Sequence, residues 1–255
     1  MLIDTHCHLT YKLDDDGDID AVISRARGAG VEYIICPTAD PEDIPAAINI
    51  TEKYNNVFAT IGIHPEHAGV RAADYITTSI LSHPRVVGVG EIGLDYHGDD
   101  VPLRDAQIEL FTEQLEMARH TDMPVAIHTR DAESDTAEIL ANFPDIRGVM
   151  HCFTSSWDLA KKMLDRGFYF SASGIITFKN ASEIRETFAK IPVDRIVVET
   201  DSPYCAPVPY RGKICQPAFT VETARTVAEI KKVPFEKFCD MVIENTKKLY
   251  PKITI

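Results

Sequence analysis

Residues 1–10 read MLIDTHCHLT, an apolar Met1-Leu2-Ile3 run that leads into two histidines separated by one cysteine. On a β-strand alternate side chains share a face, so His6 and His8 project together while Cys7 turns the other way. Two adjacent imidazoles suit a divalent metal, and two ordinary polar strand residues are the plainer alternative. The rest of the chain weighs between them, because the same pattern recurs. VEYIIC, VFATIG, RVVGVG, PVAIH, RGVMH, FYFSAS and RIVVET are further short β-rich runs, several of them leading into a polar or ionisable residue.

Between most of these runs lie segments of helical spacing. DAQIELFTEQLEMARHTDM is the clearest, with Ile108, Phe111, Leu115 and Ala118 at steps of three and four residues. Strands that alternate with helices pair in parallel, and apolar runs with few polar breaks are buried on both faces. LIDT and the seven runs after it make eight such units in 255 residues, the requirement of an α/β fold of the (β/α)8 TIM-barrel type. An open doubly wound sheet is the alternative, but no G-x-G-x-x-G follows the first strand, where a dinucleotide site would place one. With no internal repeat, low-complexity tract or linker, residues 1–255 are expected to form a single domain.

A barrel makes a demand on chemistry, since its functional groups belong at the C-terminal ends of strands. His6 and His8 follow the first strand, Glu91 closes VVGVGE, His128 closes PVAIH, His151 closes GVMH, and Asp201 follows IVVET. A lone histidine in such a place is commonly a hydrogen-bonded core residue. Four histidines, a glutamate and an aspartate, all in the same kind of place, are hard to obtain from packing needs. Six ligands exceed the three protein groups of a catalytic tetrahedral zinc. They suit two divalent ions that share a carboxylate, with zinc, manganese and magnesium all compatible. Such a pair activates water and neutralises charge on a tetrahedral or phosphoryl transition state, so the expected reaction class is hydrolysis.

Bulk composition narrows the setting. The six cysteines are scattered without a C-x-x-C, which suits reduced thiols in a cytoplasmic protein. No basic and apolar leader and no membrane-length apolar run is apparent. The net charge of −13 argues against nonspecific docking on long duplex DNA, which draws on clustered Lys and Arg. It leaves room for a pocket that takes a phosphate on a metal.

In order along nearly the whole chain, THCHL, GIHPEH, GEIGLDYH, PVAIHTRDA, MHCFTSS, ETDSPY and RGKICQP resemble the TatD family of metal-dependent deoxyribonucleases, within the amidohydrolase-like barrel superfamily. H-x-H alone would indicate only the superfamily; GEIGLDY with HCF and ETDSPY is far more specific. The resemblance implies a (β/α)8 barrel and 3′-to-5′ exonuclease activity on DNA with two divalent ions, Mg, Mn or Zn. By it, His6, His8 and Asp201 hold one ion, His128 and His151 the other, and Glu91 bridges them. Asp201 is then placed to take the proton of the attacking water. Glu199, two residues earlier on the same side of the strand, orients ligands from behind. The substrate expected is a single-stranded or frayed 3′ end, with no membrane partner. The oligomeric state is left open, a monomer included.

Around this centre the residues allow more than one role. By the family pattern His64 in GIHPEH contacts phosphate; a loop-capping imidazole is the alternative. Arg130 is a second candidate for a substrate phosphate, or a tie for a neighbouring loop. The segments LDYHGDDVPLRD and SPYCAPVPYRGKICQPA should form the cleft rim, where Arg211 and Lys213 supply positive charge. Tyr204 and Tyr210 could stack on bases or pack the loop. Cys215 stands ahead of Gln216 where relatives usually carry Asn, and a thiol lacks the amide's donor and acceptor pair. His97 stands where a bulky or aromatic residue is common. Strand alternation turns Cys7 and Cys152 toward the surrounding helices as packing thiols. Three rival readings remain: a lactonase or amidase of the same superfamily, an aminoacyl-tRNA ester hydrolase, and a metal-binding scaffold. The candidate base argues against the scaffold.

Overall fold

The computed structural model describes residues 1–13, 17–98 and 103–255. Within them parallel strands β1 (Leu2–Asp4), β2 (Val31–Pro37), β3 (Val57–Ile61), β4 (Val86–Asp95), β5 (Val125–Arg130), β6 (Gly148–Met150), β7 (Tyr169–Ala172) and β8 (Ile196–Val198) pair in chain order. Helices α1 (Ile19–Gly28), α2 (Ile44–Lys53), α3 (Thr78–Leu81), α4 (Arg104–Thr121), α5 (Glu133–Ala141), α6 (Trp157–Asp165), α7 (Ser182–Lys190) and α8 (Thr220–Lys231) fall between and after them, with α9 (Phe235–Leu249) last. This is a (β/α)8 barrel. No helix among the described residues is long and apolar enough to cross a membrane.

Strand alternation explains where the core divides. One residue from each strand, Ile3, Ile35, Phe58, Val87, Ala126, Val149, Tyr169 and Val197, belongs to an apolar cluster inside the barrel. Ile243, Leu249, Tyr250 and Ile253, from α9 and the turn after it, join that cluster. Neighbouring strand residues such as Ile34, Ala59, Val125, Met150, Phe170 and Val198 belong to a second core, shared with the helices. Burial on both faces is what the near-continuous apolar runs required. Helix α4 buries Phe111, Leu115 and Ala118 as its periodicity predicts, while Ile108 stays half-buried.

The same alternation sets up the chemistry. Two residues on from the inner apolar layer stand Thr5, Thr60, His128, His151, Ser171 and Glu199. The inward face therefore turns from apolar to polar toward the C-terminal mouth. Two strands run further than the sequence suggested. Glu91 lies inside β4, which continues to Asp95 past a break in register between Val89 and Ile92. His128 likewise lies within β5, which ends at Arg130. Of the proposed rim segment LDYHGDDVPLRD, residues 99–102 lie outside the described residues.

Candidate active site

Four imidazoles and two carboxylates converge at the mouth of the barrel. The rings of His6 and His8 are 5.0 Å apart, and His6 stacks on His151 at 3.7 Å. Glu91 is buried between them and divides its two oxygens. Oε2 faces His6 Nε2 at 3.2 Å and His8 Nε2 at 3.6 Å. Oε1 faces His128 Nδ1 at 2.8 Å and His151 Nε2 at 3.1 Å. Asp201 Oδ1 closes the first set, 3.9 Å from His6 Nε2 and 3.8 Å from His8 Nε2. Atoms that share an ion at bonds of about 2.0–2.2 Å lie about 3–3.6 Å apart, a spacing that His6, His8 and His151 keep to Glu91, with His128 slightly closer and Asp201 slightly farther off. Buried His8 Nδ1 has no hydrogen-bond partner among the described residues.

Two of the histidines, His151 and His128, are held from behind by a carboxylate. His151 Nδ1 lies 2.9 Å from Glu199 Oε1, which also accepts from the Cys152 backbone N–H at 2.6 Å. His128 Nε2 lies 2.9 Å from Asp95 Oδ2. Asp95 is a functional group that the sequence reading missed, although it stands in GEIGLDY four residues after Glu91. Histidine ligands commonly carry a carboxylate on the nitrogen turned away from the metal. Asp4, wholly buried at the end of β1, accepts from the backbone N–H of Thr200 at 2.9 Å and of His6 at 3.3 Å.

The electrostatics follow from burial and pairing. Burial, reinforced by the neighbouring imidazoles, pushes His8 and His64 down to about 3, so both are neutral with a lone pair available. Burial also pulls on His128, but the hydrogen bonds its ring donates to Asp95 and Glu91 outweigh it and raise that group to about 9. His151 rises for the same reason, beside Glu199 and Glu91. Burial would raise Glu91; His151, His6 and His128 instead hold it well below the ordinary carboxylate range. Metal-free, the site thus holds imidazolium cations between its carboxylates. Asp201, which an adjacent dication would depress, is raised by burial near Glu91 and Glu199 in the metal-free protein.

His64 caps a loop, the second of the two roles considered for it. Its Nδ1 accepts from the Glu66 backbone N–H at 3.2 Å, capping the turn Pro65–His67. In a neutral ring the proton then sits on Nε2, which lies 3.8 Å from Glu91 Oε1, beyond hydrogen-bond reach. Arg130 ends β5 with its side chain exposed, near enough to Asp95 to help keep that carboxyl ionised. Tyr204 is 57% exposed on the loop after β8.

Other rim residues are engaged locally. Tyr210 stacks on Phe219 at 3.9 Å, the Arg211 guanidinium covers Phe178 at 3.9 Å, and the Lys213 ammonium lies over Tyr210 at 5.7 Å. These contacts pack the loop after β8 upon itself and, through Arg211, against the segment after β7. Cys215 is buried with its thiol 4.0 Å from the Thr200 carbonyl, and Gln216 accepts from Arg25 of α1 at 2.6 Å. His97 Nδ1 lies 2.8 Å from Asp131, a link between the loops after β4 and β5. Cys7 is buried in the outer core as alternation predicts, but Cys152 is not a packing thiol on the helix side. Its backbone turns left-handed, φ 40°, just past β6, and alternation stops there. The Cys152 thiol meets Ser173 Oγ at 3.1 Å and also interacts with Cys205, whose Sγ donates to Asp201 Oδ2 at 3.4 Å.

Comparison with known proteins agrees with this geometry. A profile of TatD-related DNases matches residues 3–251. The metal-dependent hydrolase YabD of Bacillus subtilis is 39% identical over 254 residues, 98% of this chain and 99% of YabD. YcfH of Escherichia coli K12, also a metal-dependent hydrolase, is 36% identical over 98% of this chain and 96% of its own. The crystal structure of YjjV, a TatD homologue from E. coli K12, superposes with a TM-score of 0.86 at 30% identity, covering 98% of each chain.

Proposed function

The chain belongs to the family of TatD-related DNases, and from that premise we propose that it removes nucleotides from the 3′ ends of DNA by phosphodiester hydrolysis at a pair of divalent ions. The observation that carries the two-ion reading is the division of Glu91, with Oε2 toward His6 and His8 and Oε1 toward His128 and His151. A carboxylate shared in this way serves two positions at once. His6, His8 and Asp201 would hold one ion, and His128 and His151 the other. When bound, such ions supply Lewis acidity, which acidifies water and neutralises charge on the substrate oxygens.

The protein's own groups supply the rest. Asp201 is the proton acceptor: Oδ1 faces the histidines, while among the described residues Oδ2 takes a weak thiol donor from Cys205 at 3.4 Å, which an incoming proton can displace. His64 Nε2–H offers a neutral donor to a phosphate oxygen, and Arg130 a cationic one. Glu199 and Asp95 fix the orientation of His151 and His128. Tyr204 offers an exposed ring on which a terminal base can stack. Arg211 and Lys213 contribute local positive charge, Arg211 lying on Phe178 of the segment after β7 and Lys213 on Tyr210 of its own loop.

The test is a parallel assay of the metal-loaded protein on 3′-labelled and 5′-labelled single-stranded DNA, on a lactone and on an aminoacyl ester. Stepwise shortening from the 3′ end, with little turnover of the other two, is expected. Turnover of the lactone or the ester alone would replace the nuclease reading with one of those activities.

A further inference from the structure

Successive strands from β1 to β8 are joined by parallel ladders, but among the described residues β8 and β1 meet through single contacts. Thr5 N–H donates to the Val198 carbonyl at 3.1 Å, Asp201 N–H to His6 O at 2.9 Å, and His8 N–H to Ser202 O at 2.9 Å. This seam carries His6, His8 and Asp201. His128, by contrast, pairs with Gly93 inside the ladder of β4 and β5, Glu91 stands at the one break in that ladder with paired residues on both sides, and His151 directly follows β6. Half of the centre therefore depends on the barrel's least regular junction.

We propose that Asp4 is the positioning residue that holds this seam, and with it the His6, His8 and Asp201 half of the centre, in metal-binding register; the inference rests on the two-ion reading. The Asp4 side chain spans the seam. Oδ1 accepts from Thr200 N–H at 2.9 Å on the β8 side and from His6 N–H at 3.3 Å on its own. Oδ2 accepts from Thr200 Oγ1 at 2.6 Å. Thr200 Oγ1 in turn accepts from Ser202 N–H at 3.2 Å and from Ser202 Oγ at 2.7 Å. The one carboxylate thus fixes the residue between Glu199 and Asp201 and the residue two before His8. Asp201 stands at φ 60°, a left-handed conformation uncommon outside glycine, asparagine and aspartate.

Only an acceptor-only group satisfies this arrangement. Backbone N–H groups fill Oδ1. The hydroxyl facing Oδ2 already accepts two bonds from Ser202, so it has no lone pair to offer an amide. In Asp4→Asn the new NH2 would face a donor in either flip and the clamp would open. Thr200→Val removes the hydroxyl bond with little change of shape, and Thr200→Ser keeps it.

The experiment is titration of the chelated protein with Mn2+, followed by calorimetry and by electron paramagnetic resonance. His6→Ala and His128→Ala identify which binding step belongs to which half. Wild type is expected to take up two ions. In Asp4→Asn and Thr200→Val the ion of the His6 half should weaken by about 10–100-fold while the other is unchanged, the scale seen when a ligand's supporting partner is lost. Thr200→Ser should restore it. If Asp4→Asn does not fold, Thr200→Val decides by the same readings. Unchanged affinities, or equal weakening of both ions, overturn the proposal. A wild type that binds one ion contradicts the two-ion reading instead. The same variants then test Asp4 on that ion, and an unchanged affinity overturns its role.

Discussion

At the scale of single residues, Asp201 carries the sharpest expectation. Asp201→Asn keeps the shape and one carbonyl oxygen for coordination but cannot take up a proton. It should retain at least one ion and lose about 10²–10⁴-fold in turnover, the usual contribution of a positioned base. Near-normal turnover would remove Asp201 from that role, and Glu199→Gln should cost less. His128 and His151 give a second expectation. Both are raised toward the imidazolium form in the metal-free protein, His128 to about 9. Metal uptake at pH 7 should therefore release about two protons, read from calorimetry in buffers of different protonation heat. Uptake without release would show that the imidazoles are already neutral. The sign for stability follows from His128 lying above its ordinary 6.5. The pairing stabilises the chelated protein fully below that pH and is lost as pH rises through about 9. Chelated protein should accordingly melt at a lower temperature beyond pH 9 than at pH 6.5.

At the scale of elements, the register of β4 against β5 decides where His128 stands. Gly93 pairs with His128 at φ 146°, and a Cβ there would lie 1.9 Å from the His128 carbonyl oxygen. Gly93→Ala must therefore push the strands apart. We expect weaker binding of the ion assigned to His128 and His151, with a smaller effect on the His6 half, by metal titration. Equal affinity for both ions would show that β5 absorbs the displacement. Much of the site was legible at this scale because strand alternation is a local rule. His6 with His8, and His128 above Ala126, follow from it directly. What escaped was non-local or broke the rule. Asp95 could not be matched to His128 before β4 was seen to run on past Glu91. Cys152 left the helix side because its own backbone turns left-handed, a conformation that no periodicity announces. The stacking of Tyr210 on Phe219 likewise depends on a loop closing upon itself.

At the scale of the whole molecule, net charge and the shape of the mouth act together. A protein of net charge −13, with Arg211 and Lys213 lying over the rings of Phe178 and Tyr210, offers no long basic track to a duplex. Closed circular double-stranded DNA should resist it under conditions that degrade a free single-stranded 3′ end. Efficient nicking of the circle would contradict this. The eight-stranded architecture was readable from the recurrence of apolar runs, but the weak seam between β8 and β1 was not, since it depends on which contacts close the ring. The central claim, that Glu91 joins two ions in one centre, is tested most directly by counting them. Metal analysis of the wild type, of Glu91→Ala and of each single His→Ala variant should give two ions per chain in the wild type and the greatest loss in Glu91→Ala. One ion per chain, unchanged by Glu91→Ala, would contradict it.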